Sequence, residues 1–264
     1  MAEAILKGVI DSKILPAKDV FVTDALPDRR EYLRREFPAQ VVETNNELVD
    51  VADVVIFAVK PQNMPLVMNG ISLQCTPAHL FISICAGITS QIIEDGLRTV
   101  TNPRPRVVRV MPNTPALIGM GVAGICPGSS AGPEDVALAR QIFEAVGEVV
   151  VVEESLMDLV TAVSGSGPAY VFHMIESLIE AGTSLGFTPE QARAFVLQMV
   201  RGSAELAHRS PKTPAELRRA VTSPGGTTAA GIAILEQRNV REAFAACVAA
   251  AENRGKELAE MNRK

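Results

Sequence analysis

The residues best suited to bind a small anion form a glycine loop in the last quarter of the chain. Residues 222–228 contain two adjacent glycines, and an alanine-rich apolar run follows them. Adjacent glycines let the backbone approach a ligand closely, and the apolar run predicts a helix whose first amide groups are free. Free amides at the positive end of a helix dipole bind anions, and Ser223, Thr227 and Thr228 add hydroxyls. The loop therefore predicts a carboxylate site, with an ordinary helix cap as the competing interpretation.

A second set of candidate residues lies at the ends of three predicted strands. Residues 54–59, 80–85 and 107–111 are largely apolar runs, which are typical of strands covered on both faces. Because ligands bind at the carboxyl edge of open α/β sheets, the turns that follow these strands predict a floor for a nicotinamide. Lys60 adds charge for a phosphate or a substrate, although a solvated lysine after a strand is the alternative. The candidates are Ala58, Val59, Lys60 and Pro61, then Ala86 and Gly87, and then Asn113.

An acidic residue marks a further predicted strand end. Asp24 follows a short strand at residues 20–23, where a carboxylate typically holds the adenosine ribose and disfavours a 2′-phosphate. Arg29 and Arg30 follow closely, and guanidinium groups bind phosphates. The two features favour opposite cofactors, NAD and NADP.

The elements that must position these residues alternate between strand and helix up to residue 154. This alternation predicts a doubly wound, Rossmann-like α/β domain over residues 1–154. Further strands are predicted at residues 122–125 and 149–152, and helices at residues 1–10, 28–36, 62–69, 89–97 and 133–145.

Only helical patterns follow residue 154, which predicts an all-α domain over residues 155–264. Thr188-Pro189-Glu190-Gln191 and Thr213-Pro214-Ala215-Glu216 are capping boxes with proline at the first helical position. Small residues interleave the apolar stripes of these helices. Such stripes favour dimerisation, while packing within one subunit is the alternative.

Composition excludes several classes of protein. The net charge is −5 without a long basic block, so nucleic-acid binding is disfavoured. No run of 18 apolar residues is present, and the start of the chain is unlike a signal peptide. The four cysteines and three histidines lack metal-ligand spacing. We therefore expect no metal site, no membrane partner, reduced buried cysteines and a cytoplasmic location.

Four motifs resemble those of the pyrroline-5-carboxylate reductase family, in the family's order and across nearly the whole chain. They are Ala58-Val59-Lys60-Pro61, Met111-Pro112-Asn113-Thr114-Pro115, Ser164-Gly165-Ser166-Gly167-Pro168-Ala169-Tyr170, and residues 214–236 with Thr222-Ser223-Pro224-Gly225-Gly226-Thr227-Thr228. One such motif is weak evidence, but four in order are specific. The resemblance implies an enzyme of proline biosynthesis that reduces L-1-pyrroline-5-carboxylate to L-proline with NADPH or NADH.

The resemblance also implies roles for the loop. Ser223, Gly225, Gly226, Thr227 and Thr228 are expected to hold the substrate carboxylate through amides and hydroxyls. Thr228 is the expected catalytic residue, as a hydrogen-bond partner of the ring nitrogen while it becomes an amine. The helical domain is expected to form an intertwined homodimer, and a higher oligomer built from such dimers is left open.

Cofactor contacts follow from the same resemblance. The strand-end residues and Asp24 are expected to bind the nucleotide together with Ala2 and Asn45. For Asn45 an ordinary turn asparagine is an equal alternative. The family uses either nucleotide, and we favour NADP slightly, with Asp24 as the contrary indication.

The family begins with a strand and a glycine-rich turn that this chain does not show. Met1-Ala2-Glu3-Ala4 matches only the tail of that motif. We therefore expect an N-terminal domain without its first strand, and a natural protein that starts upstream of Met1. A chain complete as written is expected to bind cofactor weakly or not at all, since the turn holds the pyrophosphate.

Two other functions remain open from the sequence. A related reductase of hydroxy acids or of another imine would share the same two-domain plan, although the loop at residues 222–228 argues against it. A truncated dimer that is impaired in catalysis is the second, and the missing turn is its support.

Overall fold

The computed structural model describes residues 1–261, which divide into two compact units. The first unit contains Met1–Ser166 and the described residues from Ala251 onward, and the second contains Gly167–Ala250.

The first unit alternates short strands with helices, as the sequence predicts. Its helices are α1 (Ala2–Asp11), α2 (Pro27–Glu36), α3 (Asn45–Val51), α4 (Met64–Ile71), α5 (Ser90–Leu97), α6 (Pro133–Glu144) and α7 (Met157–Val160). Its strands are β1 (Phe21–Val22), β2 (Gln40–Val41), β3 (Val54–Phe57), β4 (Leu80–Ser83), β5 (Arg106–Met111), β6 (Gly121–Pro127) and β7 (Gly147–Val151).

Five of the strands form one sheet in the order β3-β4-β5-β6-β7. All neighbouring pairs are parallel except β5 and β6, which are antiparallel. The connection between β5 and β6 consists of residues 112–120 and contains only a 3₁₀ turn, Thr114–Ile118. A parallel crossover needs about a dozen residues or more, so this short connection imposes the antiparallel pair.

The remaining strands, β1 and β2, form a separate parallel pair. Helix α1 contacts both sheets, because Ile5 and Val9 belong to the core of the five-stranded sheet and Leu6 to the core beside β1 and β2. Among residues 1–261 no strand pairs with both β1 and β3. Whether a further strand belongs between them stays a prediction.

The five-stranded sheet is covered on both faces, which explains the apolar runs of its strands. On one face Val108 and Ile125 pack in a cluster with Phe143 of α6. On the other face Phe57 and Phe81 stack at 5.8 Å in a cluster that includes residues of α4 and α5. The alternation follows from the two-residue repeat of a strand.

The second unit is helical throughout. It contains α8 (Gly167–Ser184), α9 (Pro189–Arg209), α10 (Pro214–Ala220), α11 (Thr227–Gln237) and the first part of α12 (Val240–Met261). Both predicted capping boxes are present at the starts of α9 and α10. Ala192 is the only buried residue of Gly167–Ala250, so this unit buries little apolar surface by itself. Within the described chain, no helix combines the length and the apolar character that a membrane span requires.

Candidate active site

The glycine loop of the second unit ends at the start of a helix, as predicted. Gly225 has a φ of 69°, a left-handed conformation that favours glycine. The amide of Gly226 donates to the carbonyl of Ser223 at 3.1 Å, which closes a tight turn immediately before α11. Gly226 is the N-cap residue and contributes no side-chain cap, so the first amides of α11 have no capping partner.

The loop hydroxyls are not used as caps. Thr222 donates its hydroxyl to the carbonyl of Arg218 at 2.6 Å, whereas Ser223, Thr227 and Thr228 have no hydroxyl partner among residues 1–261. A Cβ atom on Gly226 would lie 2.5 Å from the Ser223 hydroxyl oxygen and 3.2 Å from its carbonyl oxygen, so a larger residue would crowd Ser223. The loop therefore leaves amides and hydroxyls available at one helix start.

The predicted nicotinamide floor follows the carboxyl ends of β3, β4 and β5 in the first unit. Phe57 of β3 pairs with Ser83 of β4, and Ser83 pairs with Arg109 of β5, so the parallel strands run out towards the same edge. The Cys85 thiol donates to the carbonyl of Val59 at 3.2 Å, which ties the segments after β3 and β4 together.

Individual residues at this edge differ in exposure. Ala58 and Lys60 are exposed, Val59, Pro61 and Ala86 are half-buried, and Gly87 is buried with a φ of 70°. Asn113 is also buried, and its side-chain oxygen accepts from the amide of Val122 at 3.0 Å. This bond ties the end of β5 to the start of β6, and the NH₂ group and one oxygen lone pair of Asn113 are left for a cofactor.

The residues predicted for the adenosine end form their own interactions. The Asp24 carboxylate accepts from the amide of Leu26 at 2.9 Å, directly after β1. Arg30 pairs with Glu43 at 2.9 Å and donates to the Asp24 carbonyl at 2.7 Å. Arg29 pairs with Glu3, so both arginines already have carboxylate partners. A 2′-phosphate would have to compete with these carboxylates.

The two contacts inferred from resemblance lie at helix starts. Ala2 is the first residue of α1, whose N-cap residue Met1 contributes no side-chain cap. Asn45 is the first residue of α3, where Thr44 caps the helix by accepting from the amide of Glu47 at 3.2 Å. Asn45 therefore lies at the start of a helix and not in a turn.

A buried charge cluster lies beside this edge, and sequence reasoning missed it. Arg109 of β5 has a side chain only 4% exposed and pairs with Glu154 at 2.6 Å and Asp158 at 3.8 Å. The other Glu154 oxygen accepts from Ser90 at 2.8 Å and from the Cys126 thiol at 3.3 Å. Arg109 and Glu154 are 45 residues apart, so only an arginine inside an apolar strand pattern could have indicated a buried partner.

Burial raises the pKa of Glu154, but the ion pair with Arg109 and the hydrogen bonds from Arg109, Ser90 and Cys126 together lower the pKa overall. Burial and the Glu154 carboxylate raise the pKa of the Cys126 thiol to about 12. Burial likewise raises the pKa of the Cys75 thiol to about 11. These thiols are therefore protonated at neutral pH and unsuited to nucleophilic chemistry. All four cysteines are free, and Cys247 is half-buried rather than buried. The described residues contain no group of side chains that could hold a metal ion.

Two family models match the chain, one in each of the two regions that the secondary-structure patterns of the sequence predict. A family model described as pyrroline-5-carboxylate reductase dimerisation matches residues 154–258. A second, described as NADP oxidoreductase coenzyme F420-dependent, matches residues 1–87.

Individual relatives cover almost the whole chain. The pyrroline-5-carboxylate reductase of Synechocystis is 42% identical over 98% of this chain and 94% of its own length. The enzyme of Pseudomonas aeruginosa is 40% identical over 97% of this chain. A solved structure of a pyrroline-5-carboxylate reductase from Coxiella burnetii has a TM-score of 0.89 and 36% identity, and covers 97% of this chain and 94% of its own. A Plasmodium falciparum pyrroline carboxylate reductase with NADP bound has a TM-score of 0.86 and 31% identity, over 97% of this chain and 94% of its own.

Proposed function

This chain belongs to the pyrroline-5-carboxylate reductase family, and we propose that it reduces the C=N bond of L-1-pyrroline-5-carboxylate to form L-proline. Relatives that carry this name and match 97–98% of the chain support the reaction. They do not favour a hydroxy-acid reductase. The observation that carries the site assignment is the start of α11, where uncapped amides lie beside three hydroxyls without partners.

The loop at residues 223–228 supplies the carboxylate site. Backbone amides after Gly226 and the hydroxyls of Ser223 and Thr227 match the lone pairs of a carboxylate. The positive end of the α11 dipole adds further attraction for the anion. Gly225 and Gly226 leave the backbone uncovered, so the substrate can approach these amides closely.

Thr228 is the proposed catalytic residue. Its exposed hydroxyl lies on the first turn of α11, next to the proposed carboxylate site. There it hydrogen-bonds the ring nitrogen as the imine becomes an amine. A hydroxyl is too weak an acid to supply the proton, so the proton comes from water or from a protonated substrate. The chain thus acts mainly by positioning, which contributes several kcal/mol.

A reduced pyridine nucleotide, when bound, supplies the hydride. The carboxyl edge of β3–β5 fits its nicotinamide, because Gly87 takes a left-handed turn that favours glycine and Ala86 is small. Lys60 and Asn113 offer polar groups at the same edge. Asp24, Asn45 and the start of α1 at Ala2 are the proposed contacts for the rest of the nucleotide.

We favour NADPH over NADH as the donor. The NADP bound to the Plasmodium falciparum relative supports this preference. Arg29 and Arg30 follow β1 and are the cations that would bind the 2′-phosphate of NADPH. To do so they would have to give up their ion pairs with Glu3 and Glu43. The preference is tested by measuring the Michaelis constants for NADPH and NADH. We expect the lower value for NADPH.

The helical unit is the homodimer interface. Its exposed apolar side chains include Phe172 at 62% and Phe195 at 62%, which a second subunit would cover. The dimerisation family model matches this same region. A cytoplasmic location is proposed as well, supported by four free cysteines.

The test is imine reduction by the purified chain, followed as the loss of reduced-nucleotide absorbance. Consumption with L-1-pyrroline-5-carboxylate and formation of proline are expected. Two-oxo acids, the precursors of hydroxy acids, are the control substrates and are expected to give no consumption. Faster consumption with a two-oxo acid would favour a hydroxy-acid reductase instead.

A further inference from the structure

One segment, residues 154–165, covers one face of the β5–β6 pair. Arg109 pairs with Cys126 and Met111 pairs with Gly124 across these antiparallel strands. The two-residue repeat of a strand places all four on the same face. Each of the four contacts the segment, so its path along β5 is fixed at several points.

The segment is anchored first by charge. The Arg109 guanidinium pairs with Glu154 and Asp158, and the Cys126 thiol donates to Glu154. These contacts hold the start of the segment, because Glu154 precedes α7 and Asp158 lies within it.

Two glycines then allow close approach further along. A Cβ atom on Gly124 would lie 2.7 Å and 3.1 Å from the two γ-carbons of Val160. Val160 is β-branched and ends α7, so it has little rotamer freedom to move away. A Cβ atom on Gly165 would lie 2.6 Å from the terminal methyl of Met111, which is a flexible group.

The segment ends in a π-helix, Thr161–Gly165. The amide of Ser166 donates to the carbonyl of Thr161 at 2.8 Å, five residues back. Such wide turns are rare in proteins overall, and those that occur often lie at functional sites. Here the turn brings Gly165 against Met111, the last residue of β5, which precedes the proposed nicotinamide contact Asn113 by two positions.

The hydroxyls of the π-helix are not equivalent. Thr161 donates to the carbonyl of Met157 at 2.9 Å, and Ser164 donates to the carbonyl of Val160 at 2.9 Å. The half-buried Ser166, directly after the π-helix, has no hydroxyl partner in the described part of the chain. Of the hydroxyls of Thr161, Ser164 and Ser166, only that of Ser166 is therefore left to bind a ligand.

We propose that Gly124, Val160 and Gly165 are positioning residues that set the π-helix against β5 and so place the Ser166 hydroxyl at the nicotinamide end of the cofactor site. The chemistry it suits is a hydrogen bond to the carboxamide of the nicotinamide ring. This inference rests on the proposed function, because the site at the end of β5 is the one assigned there.

The first test compares Ser166→Ala with Ser164→Ala. Ser166→Ala is expected to lower kcat/KM for NADPH about tenfold with an unchanged melting temperature, since one hydrogen bond to the cofactor is lost. Ser164→Ala removes a hydroxyl that donates to the carbonyl of Val160 within the same segment, and its kcat/KM is expected to stay within about twofold. Equal kinetics for the two variants would overturn the role of Ser166.

The second test changes the glycine contact without touching a hydroxyl. Gly124→Ala presses on Val160 and is expected to speed hydrogen exchange at the Ser166 amide and to lower kcat on the order of tenfold. Adding Val160→Ala relieves the contact. The double variant is expected to regain most of the slow hydrogen exchange at the Ser166 amide and most of kcat. Gly70→Ala, at an exposed position of α4 with no described atom within 4 Å of the new methyl, is the control.

The outcomes separate the two proposals. Unchanged exchange in Gly124→Ala, or lost stability with unchanged kinetics, would overturn the positioning role even in an active enzyme. Failure of the double variant to recover activity would also overturn it. A parent chain that reduces no imine would defeat the proposed function and the Ser166 assignment, while exchange at Ser166 would still show whether Gly124 and Val160 hold the π-helix.

Discussion

Thr228 is the residue on which the proposed chemistry depends most directly. We expect Thr228→Ala to lower kcat by about tenfold to 100-fold, because one aligned hydrogen bond to the developing amine is lost. Folding should change little, since this side chain is exposed and has no hydroxyl partner among the described residues. Steady-state kinetics and a thermal melt measure both quantities.

Ser177→Ala is the matched control for that change. Its hydroxyl also lies on an exposed helix but donates to the carbonyl of His173 at 2.8 Å. Turnover should be retained in this variant. Wild-type turnover in Thr228→Ala would refute the catalytic assignment.

Glu154 predicts a pH dependence of stability. Its folded-state pKa is lowered below the ordinary 4.5, so its contribution is present above that value and is lost as the pH falls through the folded pKa. The carboxylate is about a third exposed, so we expect only roughly 0.5–1 kcal/mol. Glu154→Gln should flatten the acid limb of the unfolding free energy, and the exposed Glu153→Gln should not. Parallel acid limbs in all three proteins would contradict the assignment.

Single residues were predictable where their signal is local. The glycine loop and both capping boxes depend on neighbours within a few positions, and the structure contains each of them. The cluster around Arg109 depends on Glu154 and Ser90, which are distant in sequence. No spacing rule connects such residues, so the cluster appears only in the folded chain.

At the scale of elements, the contact between β5 and the start of α7 is the feature most open to test. Arg109→Met would leave the Glu154 carboxylate without its cation. Removing one partner of a fully buried pair costs about 3–5 kcal/mol, and we expect roughly 2 kcal/mol here because Glu154 keeps partial exposure. Chemical denaturation at neutral pH measures the loss.

The double variant Arg109→Met/Glu154→Gln is the control for this loss. It removes the unpaired charge and should regain part of the stability. A double variant less stable than the sum of the two single changes would contradict an ion-pair role.

Elements were predictable when their pattern was long. The apolar strands and the amphipathic helices of the first unit all appear, with ends shifted by a few residues. Strand β2 and helix α3 were missed, since β2 has one polar and one apolar residue and the seven residues of α3 show no clear apolar period. The antiparallel β5–β6 pair follows from the short connection at residues 112–120, and pairing direction is not visible in hydrophobic pattern alone.

At the scale of the whole molecule, the exposed apolar surface of the second unit predicts a homodimer in which a second subunit covers this surface. Phe172→Glu should shift the homodimer towards monomer, because a charge would be buried without a partner. Light scattering at micromolar concentration measures the mass. Leu66→Glu is the control, since Leu66 is 78% exposed on α4 outside the helical unit and should leave the mass unchanged. If the Phe172→Glu variant remains fully dimeric, the dimer interface does not include Phe172.

Whether the start of α11 binds the substrate carboxylate is decided by comparing L-1-pyrroline-5-carboxylate with 1-pyrroline, the same ring without its carboxylate. If the start of α11 holds that carboxylate, kcat/KM should be at least about 100-fold higher for the acid, since two or more charge-assisted hydrogen bonds are lost with the analogue. The Ser223→Ala variant should narrow the ratio. Equal kcat/KM for the two imines would contradict the account.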